Sequence, residues 1–281
     1  MKEQIKYELM NETPLRKYVE ERYIAKFSNY PLNFAIEDYL NLKDFKINEN
    51  VFEVNQTSTN QTSTNQEIIP DNVHYLMRLI TQFYITKAFK AMKVDMNDPN
   101  VIEDLECGNI GTPGRISKVW CGANTNDDTE LLGGRWAKEV RLASFPATTK
   151  EQGKPIIKMM DLNAVCSHHF LPFSSKLKSN SKIVVAYIPE DIVLGISKLP
   201  RVVRQLSQRG WLQEDLTYAI YDRISKSAQT KSVFVGLYNV VHTCEATRGA
   251  NTSDGGFTSF EWGGKFEDPE MRKIVEQAIQ L

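Results

Sequence analysis

Two short segments lying far apart in the chain hold most of its soft donor atoms. They are Cys166-Ser167-His168-His169-Phe170-Leu171-Pro172-Phe173 and His242-Thr243-Cys244. The sequence has four histidines and four cysteines, and these segments contain three of the first and two of the second. Thiolate and imidazole are the ligands that a borderline-soft divalent ion prefers. A fold that uses them together must bring the second segment back against the first. Cys166 and His169 form a Cys-x-x-His pair, a spacing that one turn can present to a single ion. In a strand, His242 and Cys244 lie two apart and point to the same face. Three ligands drawn from this group leave a fourth position open, the pattern of a catalytic zinc site rather than a structural one. A buried thiol beside a satisfied imidazole would explain one such pair, but explains two converging segments less well. Cys107 and Cys121 show no partner pattern and are expected to be free thiols, and His74 sits in an apolar helical run where a structural role is expected.

Composition narrows the class. A formal net charge of −1 over 281 residues gives no basic field, so nucleic acid is not an expected partner. No apolar run approaches the ~18–20 residues of a membrane span, and MKEQIKYELMNE lacks the apolar core of a signal peptide. With few and unpaired cysteines, the chain reads as cytoplasmic with no membrane partner. A 41% hydrophobic content is enough to fill a sizeable core.

A polar repeat, NQTSTNQTSTNQ at 55–66, divides the chain and is expected to be a linker. Residues 1–66 therefore read as an extension, with aromatic-bearing short helices, that is either dispensable or an oligomer contact. Residues 67–281 read as the main domain, helical over 67–153 and mixed over 154–281. Helical spacing of Tyr75, Leu76, Leu79, Ile80, Phe83, Ala88, Phe89 and Met92 predicts a helix over 71–93. Residues 109–120 read as a turn feeding a second helix, with Thr112 as N-cap and Pro113 at its first position. The segment 121–153 reads as irregular. Strands are predicted over 155–166, 181–188, 232–244 and 257–262. Helices are predicted over 197–208, 212–228 and 268–280. Two strands, two helices and two strands define an α+β module, an antiparallel four-stranded sheet with two helices on one face.

Read in order, four motifs resemble the GTP cyclohydrolase I family. They are Cys166-Ser-His-His-Phe-Leu-Pro-Phe, Gly195-Ile-Ser-Lys-Leu-Pro-Arg-Val-Val, Gln213-Glu-Asp-Leu-Thr and His242-Thr-Cys-Glu-Ala-Thr-Arg-Gly. The likeness begins near Thr112-Pro113-Gly114-Arg115 and runs to Gly264-Lys-Phe-Glu-Asp-Pro. It implies a tunnelling fold whose sheets close into a barrel across several subunits. Active sites then lie between subunits of a homo-oligomer, a decamer of two pentamers. It implies an enzyme that converts GTP and water to formate and 7,8-dihydroneopterin triphosphate, feeding pterin or 7-deazaguanine synthesis. The implied zinc ligands are Cys166, His169 and Cys244. The implied catalytic residues are His242, which protonates guanine N7, His168, which assists proton transfer during ring opening, and Ser197, which acts in the later sugar rearrangement. Glu214, with Gln213 beside it, would hold the guanine edge. Lys198, Arg201 and Arg248, with Lys118 a weaker candidate, would hold the triphosphate.

The chain departs from the family at Ser167, where Glu is usual, and so loses a carboxylate beside the expected metal. That departure keeps two further readings in play: a related tunnelling-fold enzyme acting on another purine or pterin, and a non-catalytic GTP- or zinc-binding regulatory homologue.

Overall fold

The computed structural model describes residues 2–42, 70–106, 108–121, 132, 140, 142–249 and 255–280. The polar repeat and Cys107 fall outside the described residues. The described residues form two compact units, one from the described parts of 1–45 and 67–137 and one from those of 138–281. The sequence reading set 1–66 apart from 67–281. Contacts instead group the N-terminal helices with the helices that follow the repeat.

The first unit is helical, with α1 (Lys2–Met10), α2 (Pro14–Lys26), α3 (Leu32–Asn41), α4 (Asp71–Ala91) and α5 (Gly111–Cys121). Helix α2 starts where Thr13 Oγ1 accepts from Arg16 N–H at 3.2 Å and Pro14 takes the first position, where its missing N–H costs nothing. Leu9, Leu15, Val19, Tyr23, Ala35 and Ile36 pack with Leu76, Leu79 and Ile80 of α4 in one buried cluster. Helix α5 begins at Gly111, two residues before the Pro113 start that a Thr112 cap would give. Gly111 has φ +64, and a Cβ there would stand 2.7 Å from Val101 O. The Gly111 N–H bonds Asn109 Oδ1 at 3.0 Å, while Thr112 Oγ1 donates to Asn100 O at 3.1 Å instead of capping the helix. Cys121 is in no disulfide and its Sγ lies 3.3 Å from Thr81 Oγ1, while His74 Nε2 donates to Cys121 O at 3.2 Å, a structural role.

The second unit is the mixed one. Its elements are β1 (Ser144–Pro146), β2 (Ile156–Met160), β3 (Asn163–Val165), β4 (Pro172–Ser174), β5 (Lys182–Tyr187), β6 (Ile192–Leu194), α6 (Leu199–Ser207), α7 (Gln213–Ala228), β7 (Val233–His242), α8 (Thr243–Thr247), β8 (Phe257–Trp262) and α9 (Pro269–Gln280). The four long strands run antiparallel in the order β2-β5-β7-β8, as the α+β reading expects. Three corrections apply. Among the described residues the sheet has six strands, because β3 and β4 join it at the far end of β7. The predicted strand over 155–166 breaks near Leu162, whose N–H bonds Ser175 Oγ (2.8 Å) and whose carbonyl accepts from Ser174 Oγ (2.9 Å). The third is β1, which lies inside the segment read as irregular and pairs with β6.

Strand β5 explains how the helices are placed. Its Ile183, Val185 and Tyr187 face the core built with Leu199, Val203, Leu206, Leu216 and Ile220 of α6 and α7. The alternate residues Val184 and Ala186 face Phe266 and Val275, so α9 covers the opposite side. An unbroken apolar strand is what a sheet covered on both faces requires. No helix among the described residues is long and apolar enough to cross a membrane.

Candidate metal centre and active site

The β3–β4 hairpin and the end of β7 build the site. Cys166 follows β3 directly. Its N–H bonds Leu171 O at 2.8 Å and its carbonyl accepts from Phe170 N–H at 2.9 Å, closing a tight turn through a left-handed Phe170 (φ +53). On its outer side, Trp211 N–H bonds Val165 O (2.9 Å) and Ser167 N–H bonds Trp211 O (3.1 Å). Cys166 is thus buried and its backbone is held from two directions. Ser167 joins this clamp through its backbone.

Strand β7 kinks at an irregularity between Leu237 and Val240, where Asn239 takes φ +55. Beyond the kink it leaves β5 and pairs with β4, setting Phe173 opposite His242. The short α8 follows, fastened where Thr243 Oγ1 donates to Pro172 O at 2.6 Å, and carries the buried Cys244. The donor atoms of Cys166, His242 and Cys244 all lie within 4.8 Å of one another. Two thiols and an imidazole at that spacing match the donor set of a borderline-soft divalent ion.

His242 is held on several sides. Its ring stacks on Phe173 with centroids 4.6 Å apart and planes within 3°, and Phe257 meets it edge-on at 5.9 Å. Its Nε2 lies 2.8 Å from Gln213 Oε1. Burial lowers its pKa below the usual histidine value, an effect opposed by the carboxylates of Glu245 and Glu214. Burial raises the Cys244 thiol above its ordinary range, reinforced by the neighbouring Cys166 sulfur.

The other expected site residues fall as follows. His168 and His169 are exposed on the hairpin turn, their rings edge to face at 6.1 Å. His169 Nε2 accepts from Arg248 Nη1 at 3.4 Å, so Arg248 lies beside the turn. The compact cluster therefore contains His242, whereas the resemblance implied His169. Ser197 and Lys198 occupy a 3-10 turn before α6, with Arg201 exposed in its first turn. Glu214 is exposed in the first turn of α7, close enough for its charge to act on His242. Gln213, the residue before it, is buried with its side chain bonded to His242. Lys118 lies on α5, in the helical unit. Phe173 and Phe257 were missed as site residues. Phe173 stood inside the first motif, but only the pairing of β4 with β7 reveals its contact.

The fold and donor set define an α+β protein with a thiol–imidazole centre of the kind that holds metal in enzymes. The chain belongs to the GTP cyclohydrolase I family, an enzyme family whose model matches residues 103–280. Relatives named GTP cyclohydrolase 1 include one from Flavobacterium johnsoniae, 29% identical over 205 residues, covering 71% of this chain and 86% of that protein. One from Enterococcus faecalis is 30% identical over 172 residues, covering 60% and 84%. One from Deinococcus radiodurans is 32% identical over 170 residues, covering 60% and 72%.

Proposed function

We propose that this chain is a zinc-dependent GTP cyclohydrolase I, hydrolysing GTP at guanine C8 with release of formate and rearrangement to 7,8-dihydroneopterin triphosphate. The observation that carries this reading is the approach of Cys166, His242 and Cys244 within 4.8 Å in a member of that family. Zinc is the proposed ion, with Cys166, Cys244 and His169 as its ligands. When bound, it supplies Lewis acidity that brings the pKa of water towards neutrality.

The chain's own groups take the remaining roles. His242, rigid beside the two sulfurs, exchanges a proton with guanine N7, and His168 on the turn above moves protons during ring opening. Both use an imidazole's ability to give and take protons near neutral pH. Glu214 accepts from the guanine N–H groups. Lys198, Arg201 and Arg248, with Lys118 as a weaker contributor, offset the triphosphate charge. Ser197 contacts the sugar. A second ligand set, with His242 in place of His169, is favoured by the cluster geometry itself. The sheet supports a homo-oligomer, since β2 and β8 each pair on one side only among the described strands, and Phe260 and Trp262 on β8 are exposed. A decamer with active sites between subunits, a cytoplasmic location, and a place at the first step of pterin or 7-deazaguanine synthesis are parts of the same proposal. Formate release from GTP by the purified, zinc-replete chain tests it. GTP binding without formate would favour the regulatory reading instead.

A further inference from the structure

We infer that Gln213 is a positioning residue for His242, holding the ring with its proton on Nε2 and its lone pair on Nδ1, and does not contact substrate through its side chain. The inference rests on the proposed reaction for its kinetic consequence, and on hydrogen bonding alone for its structural part.

The carboxamide can be oriented from its partners. Gln213 Nε2 lies 3.2 Å from Phe257 O and 3.0 Å from Ser259 Oγ. A backbone carbonyl only accepts, so the amide nitrogen belongs on that side. The amide oxygen then faces His242 Nε2 at 2.8 Å. An amide oxygen carries no proton, so His242 Nε2 must supply it. The surrounding hydroxyls agree. Thr217 Oγ1 spends its proton on Gln213 O at 2.8 Å. Across the 2.7 Å gap between Thr217 Oγ1 and Ser259 Oγ, the serine must therefore be the donor. That leaves the Ser259 lone pairs free to receive the Gln213 N–H. Every proton in this buried network has one place to go, and Gln213 is only 1% exposed.

Two consequences follow. Both N–H groups of the Gln213 amide are already used, so donating to guanine would have to break a buried hydrogen bond, at a cost of about 1–3 kcal/mol, and burial keeps the rest of the amide from substrate. As a ligand His242 needs a lone pair at Nδ1, and as a proton carrier it must first take up at Nδ1 the proton that it gives to guanine N7; the Gln213 oxygen, by holding the Nε2 proton, leaves Nδ1 for either use. Such outer partners of a working histidine set ring orientation and basicity.

Spectra of the full chain labelled with 15N-histidine test this directly. The sequence has only four histidines, and the His242→Ala spectrum identifies the His242 ring signals. The wild-type ring is expected as the Nε2–H tautomer, Gln213→Glu is expected to keep it because the oxygen acceptor remains, and Gln213→Leu is expected to lose it. A wild-type Nδ1–H tautomer, or a tautomer unchanged in Gln213→Leu, overturns the inference. The kinetic arm uses GTP turnover. Gln213→Leu should lower kcat about 10–100-fold with KM held within about twofold, Gln213→Glu should recover part of kcat, and Gln213→Leu should add nothing in a His242→Ala background. A raised KM with unchanged kcat would mean that Gln213 binds substrate. Should Gln213→Leu fail to fold, the wild-type and Gln213→Glu spectra still decide. Should the wild type release no formate, the proposed function falls while the spectra still test the tautomer.

Discussion

Phe173 and His242 face each other across β4 and β7 as a cross-strand pair, with ring planes 3° apart and centroids separated by 4.6 Å. This contact joins the hairpin that carries Cys166 to the strand end that leads into Cys244. The geometry of the centre therefore depends on an apolar ring as much as on its donor atoms.

Replacing Phe173 should accordingly damage both stability and site. Phe173 is fully buried, and Phe173→Ala is expected to cost about 3–5 kcal/mol through lost packing and a residual cavity. Phe173→Leu should cost less yet still free the His242 ring. Urea unfolding measures the first effect and metal content the second. A loss below about 1 kcal/mol in Phe173→Ala would contradict the packing role.

The two ligand sets are separated by metal content. With His169 as ligand, His169→Ala should lose most of its zinc, whereas His242→Ala should retain zinc and lose turnover. Zinc lost from His242→Ala but retained in His169→Ala would reverse the assignment in favour of the cluster geometry.

Metal loading should depend on pH with a definite sign. Burial, with the Cys166 sulfur close by, raises the Cys244 thiol, so without metal this group keeps its proton at neutral pH. A metal ion must displace that proton. Apparent affinity should rise with pH, by about tenfold per unit for one displaced proton, and weaken as pH falls. Competition against a chromophoric chelator at pH 6, 7 and 8 measures the slope. A flat profile would mean that this thiol is not a ligand.

Ser167→Glu restores the residue usual in the family. A carboxylate beside the cation should tighten metal binding, and about 10-fold is the scale of such neighbours. Unchanged competition with the same chelator would show that Ser167 has no bearing on the metal.

The N-terminal helices are expected to be needed for folding. Leu15 is fully buried in the cluster that includes Leu76 and Ile80 of α4. Leu15→Ala should cost about 2–5 kcal/mol. Removing α1–α3 should expose the apolar face of α4 and reduce soluble yield. A truncated chain with wild-type melting behaviour would return the segment to the status of a dispensable extension.

What was legible in the sequence, and what was not, follows from the range of the interactions. Helix α7 could be read because Leu216, Ile220 and Ile224 repeat at helical spacing, and all three are buried. Strand β5 could be read because its apolar run is continuous. Strands β3 and β4 span three residues each, too few for alternation to show, and β4 is recognisable only by its pairing with β3 and β7. The left-handed Phe170 that closes the Cys166 turn is not a glycine, so no residue type marks it. Gln213 at the start of a helix suggested a dipole or a substrate contact. Its partners His242 and Ser259 lie 29 and 46 residues away in the chain, beyond the reach of local pattern. The paired thiols were visible early because cysteine is scarce here, although which imidazole stands closest to them needed coordinates.

The most direct measurement is formate and oxidised-pterin fluorescence from GTP, recorded with bound zinc per chain before chelation, after chelation and after zinc is restored. The account predicts turnover that disappears with the metal and returns in proportion to zinc retained by Cys166 and Cys244, with Cys166→Ser and Cys244→Ser inactive and poor in zinc. Formate release that persists in metal-free protein, or zinc-replete protein that binds GTP without releasing formate, would contradict it.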